Sequence, residues 1–369
     1  MSEGWEIGPF TVGGTILGAD PALRFRCPVT GEDVAWAAKD VFNPAAVVLD
    51  GMVRLLVRAE DDVGPCAGTS RLGLATSADG VRFSMEESPV LFPDRDRWQE
   101  LEWPGGIEDP RIVESPDGGF ACLYSAFDGR RSRLMAATSD DLVHWEKHGP
   151  VFAGTDYGER WSKSGSVVTE VRHGRLVATR LDGRFHMYWG EGWCYGATSE
   201  DLVRWTPMEF DAYVDRILTM APDGGGWEIH PQTGQPTLRP LLAPRPGRFD
   251  SLLVEPGPPA VVTGDGIVLV YNGGRLRRRE DAGDGFAYSP GQVLFDGREP
   301  GSVLARSRAP MLVVAPEDLR GQVDQVCFAE GLVVFDRQWF LYFGMGDSRI
   351  GYAIAPFDPR AQATDGAPQ

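Results

Sequence analysis

Ala137-Thr138-Ser139-Asp140-Asp141-Leu142-Val143-His144-Trp145 is the stretch on which the fold of this chain turns. It recurs as Ala75-Thr76-Ser77-Ala78-Asp79-Gly80-Val81-Arg82-Phe83 and again as Ala197-Thr198-Ser199-Glu200-Asp201-Leu202-Val203-Arg204-Trp205. The copies start 137 − 75 = 62 and 197 − 137 = 60 residues apart. Each reads as a strand ending in a Ser/Asp turn, followed by an aromatic able to cover the next layer. A worn copy, Ile350 to Phe357, keeps the apolar alternation and lacks the turn. A second series runs ahead of the first: Leu55-Leu56-Val57-Arg58, Cys122-Leu123-Tyr124-Ser125, His186-Met187-Tyr188-Trp189, Leu269-Val270-Tyr271-Asn272 and Phe340-Leu341-Tyr342-Phe343. Similar units of several short strands, recurring about every 70 residues, predict an all-β chain folded as a five-bladed β-propeller.

Composition agrees. The 369 residues include 46 Gly, 28 Pro, 11 Trp and 18 Phe, which suits short strands and tight turns, and no window sustains a helical period. One propeller domain is expected over residues 1–357, with a Pro/Gly-rich inter-blade insertion at 207–246 and a disordered tail at 358–369. A formal net charge of −17 argues against a nucleic-acid partner. No run approaches a membrane span, and the first residues lack the basic and apolar regions of a secretory signal. The five scattered cysteines form no CxxC pair, so a reducing, cytoplasmic setting is expected, with no metal and no cofactor.

In a propeller the innermost strands converge on one axis, so distant residues line one funnel. Taking the second series as those inner strands, Arg58, Glu60 and Asp61, then Glu191, Asn272 and Asp347 fall at matching strand ends. Gly106-Ile107-Glu108-Asp109-Pro110-Arg111 is expected as a loop feeding the second of them. Its proline should push Asp109 towards an extended conformation and hold its carboxylate beside Arg111. Tyr188, Trp189 and Trp193 could supply an aromatic platform, or only pack between blades.

These pieces resemble glycoside hydrolase family 130, the mannoside phosphorylases and related β-mannosidases. The resemblance rests on Phe42-Asn43-Pro44, Val57-Arg58-Ala59-Glu60-Asp61, Gly106 to Arg111, the three repeats, Lys163, Pro256-Gly257-Pro258-Pro259, Tyr271-Asn272-Gly273 and Gly346-Asp347. It spans roughly Phe42 to Phe357. It implies inverting, exo-acting attack on a small β-mannoside, with a β-1,2-linked manno-oligosaccharide as substrate and a homo-oligomer as the assembly. Asp109 matches the general acid, acting through a sugar hydroxyl, and Asn43, Arg58, Asp61 and Asp347 match positions that hold the terminal mannose.

One departure separates hydrolysis from phosphorolysis. Family phosphorylases commonly have Tyr-His-Gly where this chain has Tyr271-Asn272-Gly273, so one contact to phosphate is missing. Arg111 and Lys163 remain for an anion, or pair with Asp109. Glu191 and Glu255 lie where a dianion would be unwelcome, and either could deprotonate water, as an inverting base must. The expectation is a β-mannosidase with Asp109 as acid and Glu255 or Glu191 as base. The alternatives are a phosphorylase that takes inorganic phosphate as co-substrate, and a glycan-binding propeller without catalysis.

Overall fold

The computed structural model describes residues 4–63, 66, 68–209, 228–229, 236–238, 240–277 and 285–358. Much of the expected insertion at 207–246, and all of the expected tail beyond Asp358, lie outside them. Among the described residues the fold is all-β apart from one four-residue helix, Gln99–Glu102.

The strands fall into five consecutive antiparallel groups. The first comprises Asp40–Leu49, Met52–Glu60, Ser70–Ser77 and Ser84–Met85. The second comprises Gly106–Glu114, Phe120–Phe127, Ser132–Ser139 and Glu146–Pro150. Ser166–Arg172, Arg184–Trp189, Tyr195–Ser199 and Trp205–Pro207 form the third. In the fourth, Leu253–Pro256 and Ala260–Thr263 both pair with Gly266–Leu276, which is followed by Phe286–Phe295 and Val303–Arg306. In the fifth, Cys327–Phe335, Gln338–Met345 and Arg349–Pro356 are completed by Thr11–Gly18 from the other end of the chain. Short parallel bridges stitch neighbouring groups: Ser70, on the third strand of the first group, pairs with Gly106 on the leading strand of the second, and Val168 pairs with Ala260.

Burial follows the same cycle. Five apolar clusters each lie between two successive groups, and the one containing Val53, Val57, Val333 and Phe340 joins the fifth group back to the first. The sequence repeat caps these layers. Ser139 Oγ and Asp141 Oδ1 take up the N–H groups of the turn, while the Trp145 indole donates to Leu142 O at 3.0 Å. The same bonds recur at Ser199, Asp201 and Trp205. The backbone donors of each turn are thereby satisfied without a neighbouring strand.

One expectation is corrected. The apolar second series does not form the innermost strands. It supplies the second strand of each group, sandwiched on both faces. The leading strands carry the polar residues: Phe42-Asn43-Pro44, Glu108-Asp109-Pro110, Glu255-Pro256 and Ala329-Glu330-Gly331. Asp109 therefore sits within a strand, Gly106–Glu114, rather than in a loop. Gly106 is required at its start. It adopts φ +111°, and a Cβ there would lie 2.2 Å from Ser70 O, across the bridge to the first group.

Candidate active site

Register slips place the site. The ladder skips between Phe42 and Pro44, between Glu108 and Arg111, and between Ala329 and Gly331. Such a bulge turns a side chain out of the alternating pattern. Asn43, Asp109 and Ser164, the last just ahead of the third leading strand, have φ of +46°, +48° and +57°. For Asp109 this replaces the extended conformation that the following proline favours. Asn and Asp tolerate the left-handed region, and here the surroundings over-determine it. Asn43 Nδ2 donates to Asp109 Oδ1 at 2.9 Å and Arg58 Nη1 donates to the same oxygen at 2.8 Å. Arg111 Nη1 donates to the Asp109 carbonyl at 2.9 Å.

Asp109 is buried, and burial alone would push its carboxyl up. The Arg58, Lys163 and Arg111 charges and the Asn43 hydrogen bond outweigh that and hold it well below the usual carboxylate range. Its neighbour Glu108 goes the other way: burial raises it further than Arg58 and Lys163 draw it back, and the Asp109 charge adds to the rise. Arg58 binds Asp109, Glu108 at 3.0 Å, Glu60 at 2.7 Å and Ser70 Oγ, with its guanidinium over the Phe42 ring. Every arm of that guanidinium is engaged.

Arg111 is engaged as fully. Besides Asp109 O it donates to Pro256 O at 2.9 Å and Gly257 O at 3.4 Å, and it lies 2.9 Å from the carboxylate of Glu330. Its role here is to clasp the Pro-Gly-Pro-Pro turn of the fourth group to the Asp109 bulge. Lys163 differs. Its ammonium stands 3.6 Å from Asp109 and 4.0 Å from Glu108, with no shorter hydrogen bond among the described residues. Burial would lower it, but Asp109, Glu191, Glu108 and Glu255 together hold it firmly charged.

Glu255 follows from the fourth leading strand and is 3 % exposed. Ser164 Oγ donates to it. Burial, reinforced by the nearby Glu191 charge, pushes its carboxyl up to about 7, against the pull of Lys163 and Arg111. Glu191 is exposed, and its Oε2 accepts from the Trp161 indole N–H at 2.7 Å. Asp347, at φ +51°, is raised to about 7 by burial and by Asp109 and Glu60, with Arg58 and Lys163 opposing.

Other expected residues have their polar atoms bonded to the scaffold, and two of them, Tyr271 and Asn272, pair with Pro256 and Glu255 in the ladder. The Tyr188 hydroxyl donates to Pro300 O while its ring stacks on Phe295 at 4.3 Å. The Tyr271 hydroxyl is held by Asp250 and Arg306. The two side-chain ends of Asn272 bond the C=O and N–H of Ala329, stapling the fourth group to the fifth. Asp61 is taken up by Arg71 at 2.5 Å and by the Thr69 and Val63 amides. All four are buried, with their polar atoms committed to the scaffold.

Glu330 and Tyr288 are among the residues of the cluster that escaped the sequence reading, as are Ser164 and Trp161. Glu330 is fully buried beside Arg111, and burial raises its carboxyl well above the usual range. A lone acid in the apolar run Cys327-Phe328-Ala329-Glu330-Gly331-Leu332-Val333 was the available signal. The Tyr288 hydroxyl is raised by burial, and the Glu255, Glu191 and Asp347 charges add to the rise. No motif marked it.

A ring of antiparallel groups from whose first two strands carboxylates, an amide and guanidinium groups converge is the site of a carbohydrate-active enzyme. The family profile described as beta-1,4-mannooligosaccharide phosphorylase matches residues 25–359, and the chain belongs to this family, glycoside hydrolase family 130. Among curated relatives it is 31% identical over 329 residues to a 1,2-beta-oligomannan phosphorylase of Thermoanaerobacter sp. (strain X514), covering 86% of this chain and 90% of the relative. A beta-1,2-mannobiose phosphorylase of the same organism is 27% identical over 336 residues, 86% of this chain and 91% of that one. Two solved structures are similar at a TM-score of 0.84. One is a glycosyl hydrolase from Bacteroides ovatus, 37% identical over 99% of this chain and 98% of that one. The other is 38% identical over 100% of this chain and 98% of that one, and is described as showing that this family of mannoside phosphorylases contains glycoside hydrolases that target β-1,2 mannosidic linkages in Candida mannan.

Proposed function

We propose that the five groups are the blades of a five-bladed β-propeller, one domain over residues 1–357, and that its axial pocket cleaves β-mannosides from the end of the chain by attack of water with inversion. The observation that carries the choice of water is how the cations are used. Arg58 and Arg111 are spent on carboxylates and carbonyls, and the remaining cation, Lys163, shares its surroundings with Asp109, Glu108, Glu191 and Glu255. A phosphate dianion brought there would meet more negative charge than positive, and removing it from water without donors to receive it is costly.

In this reading Glu255 is the base. A carboxyl near 7 is about half ionised at neutral pH and strong enough to take a proton from water, which suits general-base catalysis. Glu191 is less suited, since its Oε2 already accepts from Trp161. The Arg58 and Lys163 charges keep Asp109 an anion, so delivery of a proton by it belongs to the bound state, where a sugar hydroxyl strips its solvation. Asn43 and Arg58 fix it for that hydroxyl, and Asp347 faces the same sugar.

Phosphorolysis is the second reading, and the curated relatives favour it: both described above are phosphorylases. It would use Lys163 as the principal phosphate contact. A panel of β-linked mannobioses incubated with and without inorganic phosphate separates the two. Free mannose at the same rate in both arms supports hydrolysis. Mannose 1-phosphate formed only with phosphate rejects it, and binding without turnover rejects both.

A further inference from the structure

Glu330, Arg111, Glu255 and Asp109, the centre of the candidate site, are buried, between 0% and 4% exposed. Trp161 is of another kind. It is 45% exposed, two residues before Lys163, on the segment that leads into the third group. An apolar ring of this size gains by covering itself, yet nearly half of this one is open to solvent beside Glu191. It is nevertheless fixed. Its indole N–H donates to Glu191 Oε2 at 2.7 Å, and the two segments are tied at the backbone, where Gly190 N donates to Lys163 O at 3.0 Å. A charged acceptor makes this a strong hydrogen bond, and it engages the edge of the indole rather than a face. Glu191 in turn lies close enough to Glu255 and Lys163 to act on both.

We propose that Trp161, held by Glu191, is the platform on which the leaving-group sugar of the substrate stacks. This rests on the reading of a pocket that cleaves β-mannosides from their ends. The terminal mannose then occupies the buried centre, and the part of the substrate that reaches Trp161 is the next sugar. The C–H face of a pyranose covers an indole well, and a ring already fixed by its N–H loses little entropy on binding. Glu191 thereby has a positioning role in place of a base's.

The test uses Trp161→Ala, Trp161→Phe, Glu191→Gln and Glu191→Ala. With a β-mannobiose, Trp161→Ala raises KM about tenfold with little change in kcat, the pattern of lost binding remote from the bond broken. With methyl β-mannoside, whose leaving group is too small to stack, its KM moves less than about twofold. Glu191→Gln keeps an oxygen that accepts the indole N–H and keeps the KM, whereas Glu191→Ala follows Trp161→Ala. In an Asp109→Asn background, which removes turnover, β-mannobiose changes the tryptophan fluorescence and mannose does not, and adding Trp161→Phe abolishes the change. An unaltered KM for the disaccharide in Trp161→Ala, or a fluorescence change that survives Trp161→Phe, overturns the proposal. If the wild type cleaves no mannoside, the cleavage reading falls on its own, and the fluorescence titration alone decides whether Trp161 is a platform.

Discussion

Replacing Glu255 by Gln should make the protein inactive and, in alkaline buffer, more stable. The carboxyl moves from its ordinary value of 4.5 to about 7 on folding. Between those values the folded chain holds a proton that the unfolded chain has released, so stability is fully present below 4.5 and is lost as pH rises through about 7. At pH 8 the loss is about 3 kcal/mol, from 1.36 kcal/mol per pH unit. Gln cannot ionise, and its oxygen still accepts from Ser164, so Glu255→Gln escapes the loss. For a chain of this length that is about 4 °C in unfolding temperature. Burying a new NH₂ group costs about 1–2 kcal/mol at every pH, so the informative quantity is how the difference between variant and wild type changes with pH. Thermal unfolding of both proteins at pH 5 and pH 8 measures it, because Asp347 and Glu102, which are also raised to about 7, are common to both and cancel. Activity should fall by about 10²–10⁴, the usual worth of a general base. A difference that does not change between pH 5 and pH 8, or a variant keeping a tenth of the activity, refutes the assignment.

Further expectations follow from the same contacts. Asp109→Asn keeps the Arg58 hydrogen bond on its amide oxygen and the fold, and loses about 10²–10⁴ in kcat, measured on any β-mannobiose that the wild type cleaves. Arg111→Met leaves the carbonyls of Asp109 and Pro256 without their donor and Glu330 without its counter-charge, for a cost of about 3–5 kcal/mol by denaturant unfolding. Asn272→Leu removes both bonds to Ala329 and costs about 2–4 kcal/mol, while the products formed stay the same.

Much of this was legible in the chain. The Ser-x-Asp repeats give the spacing of the groups because each turn must satisfy its own backbone donors, and only a few residue types do so. The depth of each strand was harder to read. Leu269-Val270-Tyr271 and its relatives look innermost because they are the most apolar. The polar cluster is instead built largely by the leading strands, whose Asn43, Asp109, Glu255 and Glu330 break the apolar run. Tyr188 and Tyr271 drew attention as aromatics at equivalent positions, but equivalence across repeats reports packing between layers, which every layer needs. Function breaks the repeat: the bulges of three leading strands carry Asn43, Asp109 and Glu330, three different residues. Asp109 was identified by its motif, while its left-handed backbone was hidden, because a bulge depends on the partner strand and on the clasp from Arg58 and Asn43.

On the proposed reading, a wall of carboxylates admits water and rejects phosphate. Proton NMR of the first turnovers on a β-mannobiose, in phosphate-free buffer and again with phosphate added, measures it directly. α-Mannose appearing first, at a rate that phosphate leaves unchanged, is the predicted result. Mannose 1-phosphate as the product, with no turnover in phosphate-free buffer, would contradict it.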